Sequence, residues 1–235
     1  MIKKLALCGG SKLIKKMPRL YNSISKEELV KSYDVVKSGI LSNFIGQAGQ
    51  NFLGGKQVRK FEKEIEKYFS VKYAVTVNSW TSGLIAAIGS IDIEPGDEVL
   101  LPTWTMSACA MAILNWNAIP VFVDIEDKTF NIDPDLIVSK ITKRTKAIIV
   151  VDIFGHPANY KKILNISKKY KLKVISDNAQ SMGTKYFKKY SGTLTDVGGF
   201  SLNCHKLINT GEGGVLVTNN KKIAIKLRLI RNHAE

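Results

Sequence analysis

KVISDNAQSMGTKYFKKYSGTLTDVGGFSLNCHKLINTGEGGVLVTN (173–219) is the stretch of sequence that decides the fold. It contains three short apolar runs, at 173–179, 197–202 and 213–219. Runs that are apolar at nearly every residue are typical of strands buried on both faces of a sheet. The first run has an aspartate, Asp177, near its end, and the carboxyl ends of parallel strands are where ligand chemistry usually lies. The stretch therefore predicts the core and one functional edge of an α/β sheet.

Four earlier segments continue the pattern of apolar runs. They lie at 73–79, 98–103, 118–125 and 147–155. Helical segments alternate with the runs, at 81–90, 106–116, 134–141 and 159–170, and a last helix begins near residue 221. Alternation of this kind predicts a mostly parallel, seven-stranded sheet with helices on both faces.

The first 70 residues have a different pattern. Ser25 and Glu28 have the spacing of a capping box and predict a helix over 25–38. A loop rich in glycine, asparagine and glutamine follows at 39–55, and a second helix is predicted at 56–69. We expect residues 1–70 to form helices and a loop that pack on a large domain of residues 71–235, giving one structural unit overall.

The composition is that of a globular protein, with 45% hydrophobic and 23% charged residues. The net charge of +15 suggests a nucleic-acid binder, but 30 of the 35 basic residues are lysines. Because arginine is the better ligand for phosphates and base edges, we favour a solvated basic surface and keep nucleic-acid binding as an alternative.

Membrane insertion, secretion and metal binding have no support in the sequence. There is no apolar stretch of the roughly 18 residues that a membrane span needs. The apolar run before Cys8 is shorter than a signal-peptide core, so we expect a cytoplasmic protein. The cysteines and histidines lack metal-ligand spacing, and no metal site is predicted.

Four features at the predicted strand ends each have two interpretations. NSWTSG (78–83) is either a phosphate-binding helix start or a plain N-cap. Asp177 either contacts a ligand or caps a helix, and Trp104 either lines a flat pocket or packs in the core. Lys206 is either an exposed loop residue or a half-buried amine. A half-buried lysine loses its proton more readily than an exposed one, so it can act as a nucleophile.

Taken together, these features favour the ligand-binding interpretation of each one. A phosphate site, an aromatic ring, a carboxylate and a lysine converge on one edge of one sheet. Pyridoxal phosphate needs this combination, since a lysine binds its aldehyde and an aspartate keeps its ring nitrogen protonated. The sequence therefore predicts pyridoxal phosphate as the cofactor.

The motifs also resemble those of the DegT/DnrJ/StrS sugar aminotransferases, which have the fold-type-I, aspartate-aminotransferase fold. The resemblance covers roughly residues 5–233. The matching motifs include VRKFEKEIEKYFSVKYAVTVNSWTSGL, PGDEVLLPTWT, AIPVFVDIE, SDNAQSMG, DVGGFSLNCHK and TGEGGVLVTNN. A sister branch of dehydratases has histidine in the lysine position. The spacing to GEGG places Lys206 in that position here, which favours transamination.

The resemblance implies a role for each matching residue. Lys206 would hold the cofactor covalently and move protons, and Asp177 would pair with the pyridine nitrogen. Gln180 would bind the ring hydroxyl, and Trp104 would stack on the ring. The residues that would bind the phosphate are Trp80, through its backbone, Thr81 and Ser201.

The resemblance also implies an activity, which is transfer of an amino group from an amino acid such as glutamate to a nucleotide-linked keto-sugar. Such enzymes serve surface-polysaccharide or secondary-metabolite biosynthesis. Family members are far longer, so we expect a large domain whose small C-terminal domain is absent. The alternative is a truncated, non-catalytic domain that binds the cofactor or a partner.

Two further expectations follow from the resemblance. Family members are homodimers, so the loop 39–55 and the helix 81–90 would be interfacial. The apolar residues of that loop would otherwise be exposed: Phe44, Ile45, Phe52 and Leu53. Among the departures from the family pattern, Asp152 and Asn117 replace a histidine and a glycine, Ala234 replaces a glycine, and Trp80 replaces a small residue. We expect Trp80 to crowd the phosphate-binding turn.

Overall fold

The computed structural model describes residues 4–17 and 22–232. By its internal contacts the chain divides into residues 1–41 and 42–235. The first unit contains helix α1 (Lys26–Ser38). Ser25 Oγ accepts a hydrogen bond from the Glu27 amide at 3.1 Å, and the Glu28 carboxylate accepts one from the Ser25 amide at 2.7 Å. The predicted capping box is therefore present, and it fixes the start of the helix.

The second unit is built on a seven-stranded sheet. Its strands are β1 (Tyr73–Val77), β2 (Glu98–Pro102), β3 (Ile119–Val123), β4 (Thr145–Val151), β5 (Lys173–Asp177), β8 (Val197–Ser201) and β9 (Gly214–Thr218). Their order in the sheet is β1-β9-β8-β5-β4-β2-β3. β9 runs antiparallel to both of its neighbours, and the other pairings are parallel. All seven predicted strands and the mostly parallel sheet are confirmed.

The helices of the second unit follow the predicted alternation. They are α2 (Lys56–Phe69), α3 (Trp80–Ser90), α4 (Ser107–Leu114), α5 (Pro134–Ile137), α6 (Tyr160–Tyr170) and α7 (Lys221–Arg231). α5 is shorter than expected, because the chain tightens into a 3-10 turn at Val138–Lys140. α2, which the sequence pattern groups with the N-terminal residues, lies in this second unit.

Alternate residues of the central strands pack into two separate cores. Val99 and Leu101 of β2 belong to one core with α3 and α4, whereas Leu100 belongs to another with Tyr160 and Ile163 of α6. Successive side chains of a strand point to opposite faces. The sheet is therefore covered by helices on both faces, as predicted.

The loop before α2 is less exposed than the sequence suggests. Phe44, Phe52 and Leu53 are half-buried, and only Ile45 has the expected exposure. Asn232 Nδ2, at the end of α7, donates to the backbone oxygens of Ile45 at 3.1 Å and Phe52 at 3.3 Å. Three of the four residues expected to be exposed without a partner subunit are therefore half-buried within this chain, and the subunit interface stays a prediction.

A short hairpin was not anticipated from the sequence. β6 (Lys185–Tyr186) and β7 (Lys189–Tyr190) pair antiparallel, and Phe187 adopts a left-handed φ of 53° in the turn. The segment is rich in lysine and lacks a turn glycine, so no rule for hairpins identifies it. In the part of the chain described, no helix is long and apolar enough to cross a membrane.

Candidate active site

A cavity of about 420 Å³ lies at the carboxyl ends of β5 and β8. Three residues predicted from the sequence line it: Gln180, Ser201 and Lys206. The rest of its lining is Phe154, Ala179, Met182, His205 and Leu207. The parallel strands thus bring an amide, a hydroxyl and an amine to one edge of the sheet, as expected.

Lys206 reaches this cavity because its loop is fastened at both ends. The Leu202 amide donates to the Gly213 oxygen at 2.9 Å, and the Thr210 amide donates to the Leu202 oxygen at 2.9 Å. Within the loop, the Lys206 amide donates to the Asn203 oxygen at 2.9 Å. Lys206 is half-buried, whereas the lysines of α2 and α6 are exposed. The structure therefore favours the half-buried amine over the exposed loop lysine.

Asp177, the last residue of β5, is 5% exposed. Its Oδ1 accepts hydrogen bonds from Trp80 Nε1 at 2.7 Å and from the Ala179 amide at 3.0 Å. Its Oδ2 accepts one from Cys109 Sγ at 3.3 Å. Burial raises the pKa of the Asp177 carboxyl, while these three donors and the charge of Lys206 act to lower it. The donors stabilise an ionised carboxylate in an apolar place.

Trp80 does not crowd the phosphate-binding turn, contrary to expectation. Its indole is buried in the core between α3 and the sheet. A Cβ atom at Gly199 of β8 would lie only 2.3 Å from Trp80 Cζ3, so the absence of a side chain there makes room for the ring. The backbone of residue 80 stays at the start of α3, where the first amides have no partner within the helix.

The same helix start contains the N-cap that the sequence offered as an alternative to phosphate binding. Ser79 Oγ accepts a hydrogen bond from the Ser82 amide at 3.1 Å. This cap uses one of the free amides of the first turn and leaves those of Trp80 and Thr81 at the end of the helix. The two interpretations are therefore compatible. The Thr81 side chain is exposed and does not line the cavity.

Gln180 and Ser201 are oriented by backbone hydrogen bonds. Gln180 Oε1 accepts one from the Phe154 amide at 2.7 Å, which directs the amide nitrogen of Gln180 away from Phe154. Ser201 Oγ accepts one from the Asn203 amide at 3.3 Å. Both side chains keep groups with which to donate a hydrogen bond to a ligand in the cavity.

Trp104 lies in the loop after β2, and half of its surface is exposed. It does not line the cavity. Its ring centroid is 5.8 Å from that of Phe130, which in turn is 6.0 Å from that of Phe154, a lining residue. Trp104 is therefore connected to the lining of the cavity by a row of ring contacts through Phe130 to Phe154. Its stacking on a cofactor stays a prediction.

Two residues that contact the site were missed in the sequence. Cys109 donates to Asp177 from α4, and Gly199 makes room for Trp80. The buried Cys109 thiol has a pKa raised well above its usual range by burial, so it stays protonated and can donate. No motif marks Cys109. The only clue to Gly199 is a glycine within an apolar strand, which often indicates close approach of another group.

Asp152, one of the departures from the family pattern, lies under the site with no exposed surface. Its Oδ1 accepts hydrogen bonds from Tyr160 Oη at 2.9 Å and the Ala158 amide at 3.0 Å, and its Oδ2 accepts one from Asn178 Nδ2 at 2.8 Å. Burial raises the pKa of the Asp152 carboxyl. The network holds Asn178, and thus the backbone next to Asp177, in a fixed position.

Comparison with known proteins identifies the family. The model of the DegT/DnrJ/EryC1/StrS aminotransferase family matches residues 43–235. GDP-perosamine synthase of Caulobacter vibrioides is 40% identical over 177 residues, which are 75% of this chain and 48% of that protein.

Solved structures give the same result. The Helicobacter pylori aminotransferase PseC, involved in pseudaminic acid biosynthesis, superposes with a TM-score of 0.80 at 29% identity, over 89% of this chain and 54% of that one. NtdA of Bacillus subtilis, with its cofactor PMP bound, superposes with a TM-score of 0.76 at 31% identity, over 92% and 48%. The chain spans about half the length of these relatives. It has the fold of the large domain of fold-type-I enzymes, and it belongs to the DegT/DnrJ/EryC1/StrS aminotransferase family.

Proposed function

We propose that this chain is the pyridoxal-phosphate-binding domain of an aminotransferase that acts on a nucleotide-linked keto-sugar. The observation that carries the proposal is the convergence of Lys206, Gln180 and Ser201 on one cavity beside the buried carboxylate of Asp177. Members of the family with a bound cofactor of this class, such as NtdA with PMP, support the choice of cofactor.

The residues present fit pyridoxal phosphate in number and kind. The cavity volume of about 420 Å³ lies within the roughly 300–1,000 Å³ of small-molecule sites. A carboxylate accepts about four hydrogen bonds, and Asp177 receives three from the protein, of which only the weak thiol bond goes to Oδ2. Oδ2 therefore keeps capacity for the N–H of a protonated pyridine ring.

Each residue then has a defined task. Lys206 would supply the amine that holds the aldehyde of the cofactor, and it would move protons at the amino carbon. Asp177 would keep the pyridine nitrogen protonated, and Gln180 would donate to the ring hydroxyl. Ser201, Thr81 and the backbone of Trp80 would bind the phosphate, and Trp104 would stack on the ring. When bound, the cofactor serves as the electron sink for breaking bonds at the amino carbon.

The substrate class is inferred from the relatives. One relative is a GDP-perosamine synthase, and PseC is an aminotransferase involved in the biosynthesis of pseudaminic acid. We therefore propose a nucleotide-linked keto-sugar as amino acceptor and an amino acid such as glutamate as donor, in surface-polysaccharide or secondary-metabolite biosynthesis. A cytoplasmic homodimer is part of the same proposal. The alternative is a domain that binds the cofactor without turnover.

The test of cofactor binding is chemical labelling of the lysine. The protein is loaded with pyridoxal phosphate, reduced with borohydride to make the lysine–cofactor bond permanent, and digested with trypsin. Residues 190–221 contain a single internal lysine, Lys206. Trypsin does not cleave at a modified lysine, so we expect one dominant adduct on the uncleaved peptide 190–221.

The control variant is Lys206→Ala, which should lose this adduct and the visible absorption of the loaded protein. Labelling spread over helix lysines such as Lys161 and Lys168 in the wild type would indicate surface chemistry and contradict the proposal. Transfer of nitrogen from glutamate to a nucleotide-linked keto-sugar, measured by mass spectrometry, separates an enzyme from a cofactor-binding domain without turnover.

A further inference from the structure

The packing of the core fixes the indole of Trp80 in one position. It extends from the first residue of α3 toward the sheet and is 7% exposed. Glycines lie against the ring on two sides. A Cβ atom would be 2.3 Å from the ring at Gly199 of β8 and 2.8 Å from it at Gly83 of α3. Because both distances are far shorter than a van der Waals contact, these glycines define the position of the indole.

The one polar atom of this ring is directed at the candidate active site. Trp80 Nε1 donates to Asp177 Oδ1 at 2.7 Å, and both residues are buried. A short bond to a carboxylate is charge-assisted, and such bonds are about twice as strong as bonds between neutral groups. A ring that only filled space in the core would need no donor at this point.

Trp80 also determines which carboxylate oxygen of Asp177 can accept a further hydrogen bond. Among the residues that the structure describes, the indole N–H and the Ala179 amide donate to Oδ1, whereas only the Cys109 thiol, at 3.3 Å, donates to Oδ2. Rotation of the carboxylate would break the two stronger bonds. The indole thus fixes the carboxylate plane and keeps Oδ2 as the oxygen with free capacity.

We propose that Trp80 is a positioning residue for Asp177, holding its carboxylate ionised and oriented so that Oδ2 is the oxygen that receives the pyridine nitrogen of the cofactor. The part that concerns the cofactor rests on the proposed function. The part that concerns Asp177 is a property of the protein alone and can be tested without cofactor.

The first experiment uses the cofactor-free, ¹⁵N-labelled protein. Its three tryptophans give three indole N–H resonances, and Trp80→Phe identifies that of Trp80. We expect Asp177→Asn to move the Trp80 resonance, since the charged acceptor is lost. The matched internal control is Trp116, whose Nε1 donates to the Ile85 oxygen at 2.8 Å and whose resonance should not move.

The second experiment follows the ionisation of Asp177 by carboxyl ¹³C NMR in the same protein. Trp80→Phe keeps an aromatic ring but removes a donor to the carboxylate, so the pKa of Asp177 should rise further. The other titratable groups facing Asp177 are the Cys109 thiol, the Lys206 ammonium and the Asp152 carboxyl, which remain in every variant. Trp116→Phe also removes an indole donor and should leave this pKa unchanged.

The third measurement is titration with pyridoxal phosphate, followed by absorption. Loss of a hydrogen bond to a charged group predicts a dissociation constant about tenfold higher for Trp80→Phe. Trp116→Phe should stay within about twofold of the wild type.

The outcomes decide the two proposals separately. A folded Trp80→Phe protein with wild-type Asp177 ionisation would overturn the positioning role. If that variant does not fold, an unchanged Trp80 resonance in Asp177→Asn overturns it instead. A wild-type protein that binds no pyridoxal phosphate would contradict the proposed function, while the two cofactor-free measurements would still decide the role of Trp80.

Discussion

Asp152 directly follows β4 and Asp177 ends the neighbouring strand β5, and the Asp152 amide donates to the backbone oxygen of Asp177 at 3.1 Å. Both carboxyls are buried, and burial raises the pKa of each. The charge of Asp177 also raises the pKa of Asp152. Burying these two carboxyls at the edge of the sheet therefore destabilises the fold at neutral pH. This is common where a fold keeps charged groups for function.

The first prediction concerns the pH dependence of this cost. An aspartate whose pKa is higher in the folded state than its unfolded value of about 3.9 takes up its proton first in the folded state. The wild type should therefore gain stability relative to Asp177→Asn as the pH falls from 7 toward about 4. Urea unfolding at several pH values measures this difference. Asp152 is present in both proteins, so its own titration largely cancels. A difference that is constant or grows on acidification would contradict the prediction.

The second prediction concerns the fit of Trp80 against Gly199. Gly199→Ala places a methyl group where the indole lies, so we expect a loss of roughly 1–3 kcal/mol in the free energy of unfolding. In a Trp80→Ala background the same change should cost less, because the clash with the ring is gone and only the close approach to the Val215 backbone oxygen, at 2.6 Å, remains. A double-mutant cycle by chemical denaturation gives the coupling.

The chain offers a matched control for that cycle. A Cβ atom at Gly89 would lie 2.0 Å from the ring of Trp116, so Gly89→Ala meets a similar obstacle at a different place. Trp80→Ala should not relieve the effect of Gly89→Ala. If Trp80→Ala reduced the loss of stability caused by Gly199→Ala and by Gly89→Ala equally, Trp80→Ala would loosen the whole core and the coupling would not be local.

The strands could be predicted from the sequence, whereas the interior of the site could not. Runs such as EVLLPT are buried on both faces, so their composition alone identifies them. The order of Asp177, Gln180, Ser201 and Lys206 along the chain also located one edge of the sheet. The direction of the Trp80 side chain was misjudged, because it depends on a missing Cβ at residue 199, in a distant part of the sequence.

The third prediction concerns a buried ion pair beneath the loop before α2. Arg231 Nη1 lies 2.6 Å from Glu62 Oε1, and their side chains are 7% and 6% exposed. Arg231→Met would leave the Glu62 carboxylate buried with its partner removed, so we expect a loss of about 3–5 kcal/mol in the free energy of unfolding. The control is Lys162→Met, which breaks the exposed pair with Asp135 and should leave stability unchanged. Similar stability of both variants would show that burial does not strengthen the Arg231 pair.

The last prediction concerns Glu98, whose contribution to stability should change with pH in the opposite direction to that of Asp177. The Glu98 side chain, at the start of β2, accepts hydrogen bonds from Thr142 Oγ1 at 2.6 Å and from Arg144 Nη2 at 2.8 Å. The Thr142 bond, followed by those from Arg144 and Thr145, lowers the pKa of Glu98.

A group whose pKa is lower in the folded state stabilises the fold above its unfolded value of about 4.3, and this contribution is lost as the pH falls through the folded value. Glu98→Gln should therefore cost roughly 1–2 kcal/mol at pH 7, and its cost should shrink only below about pH 4.3. In the same urea experiments, the wild type gains relative to Asp177→Asn on acidification but loses its advantage over Glu98→Gln. If both differences changed in the same direction, they would reflect the net charge of the protein and not the local surroundings of the two carboxyls.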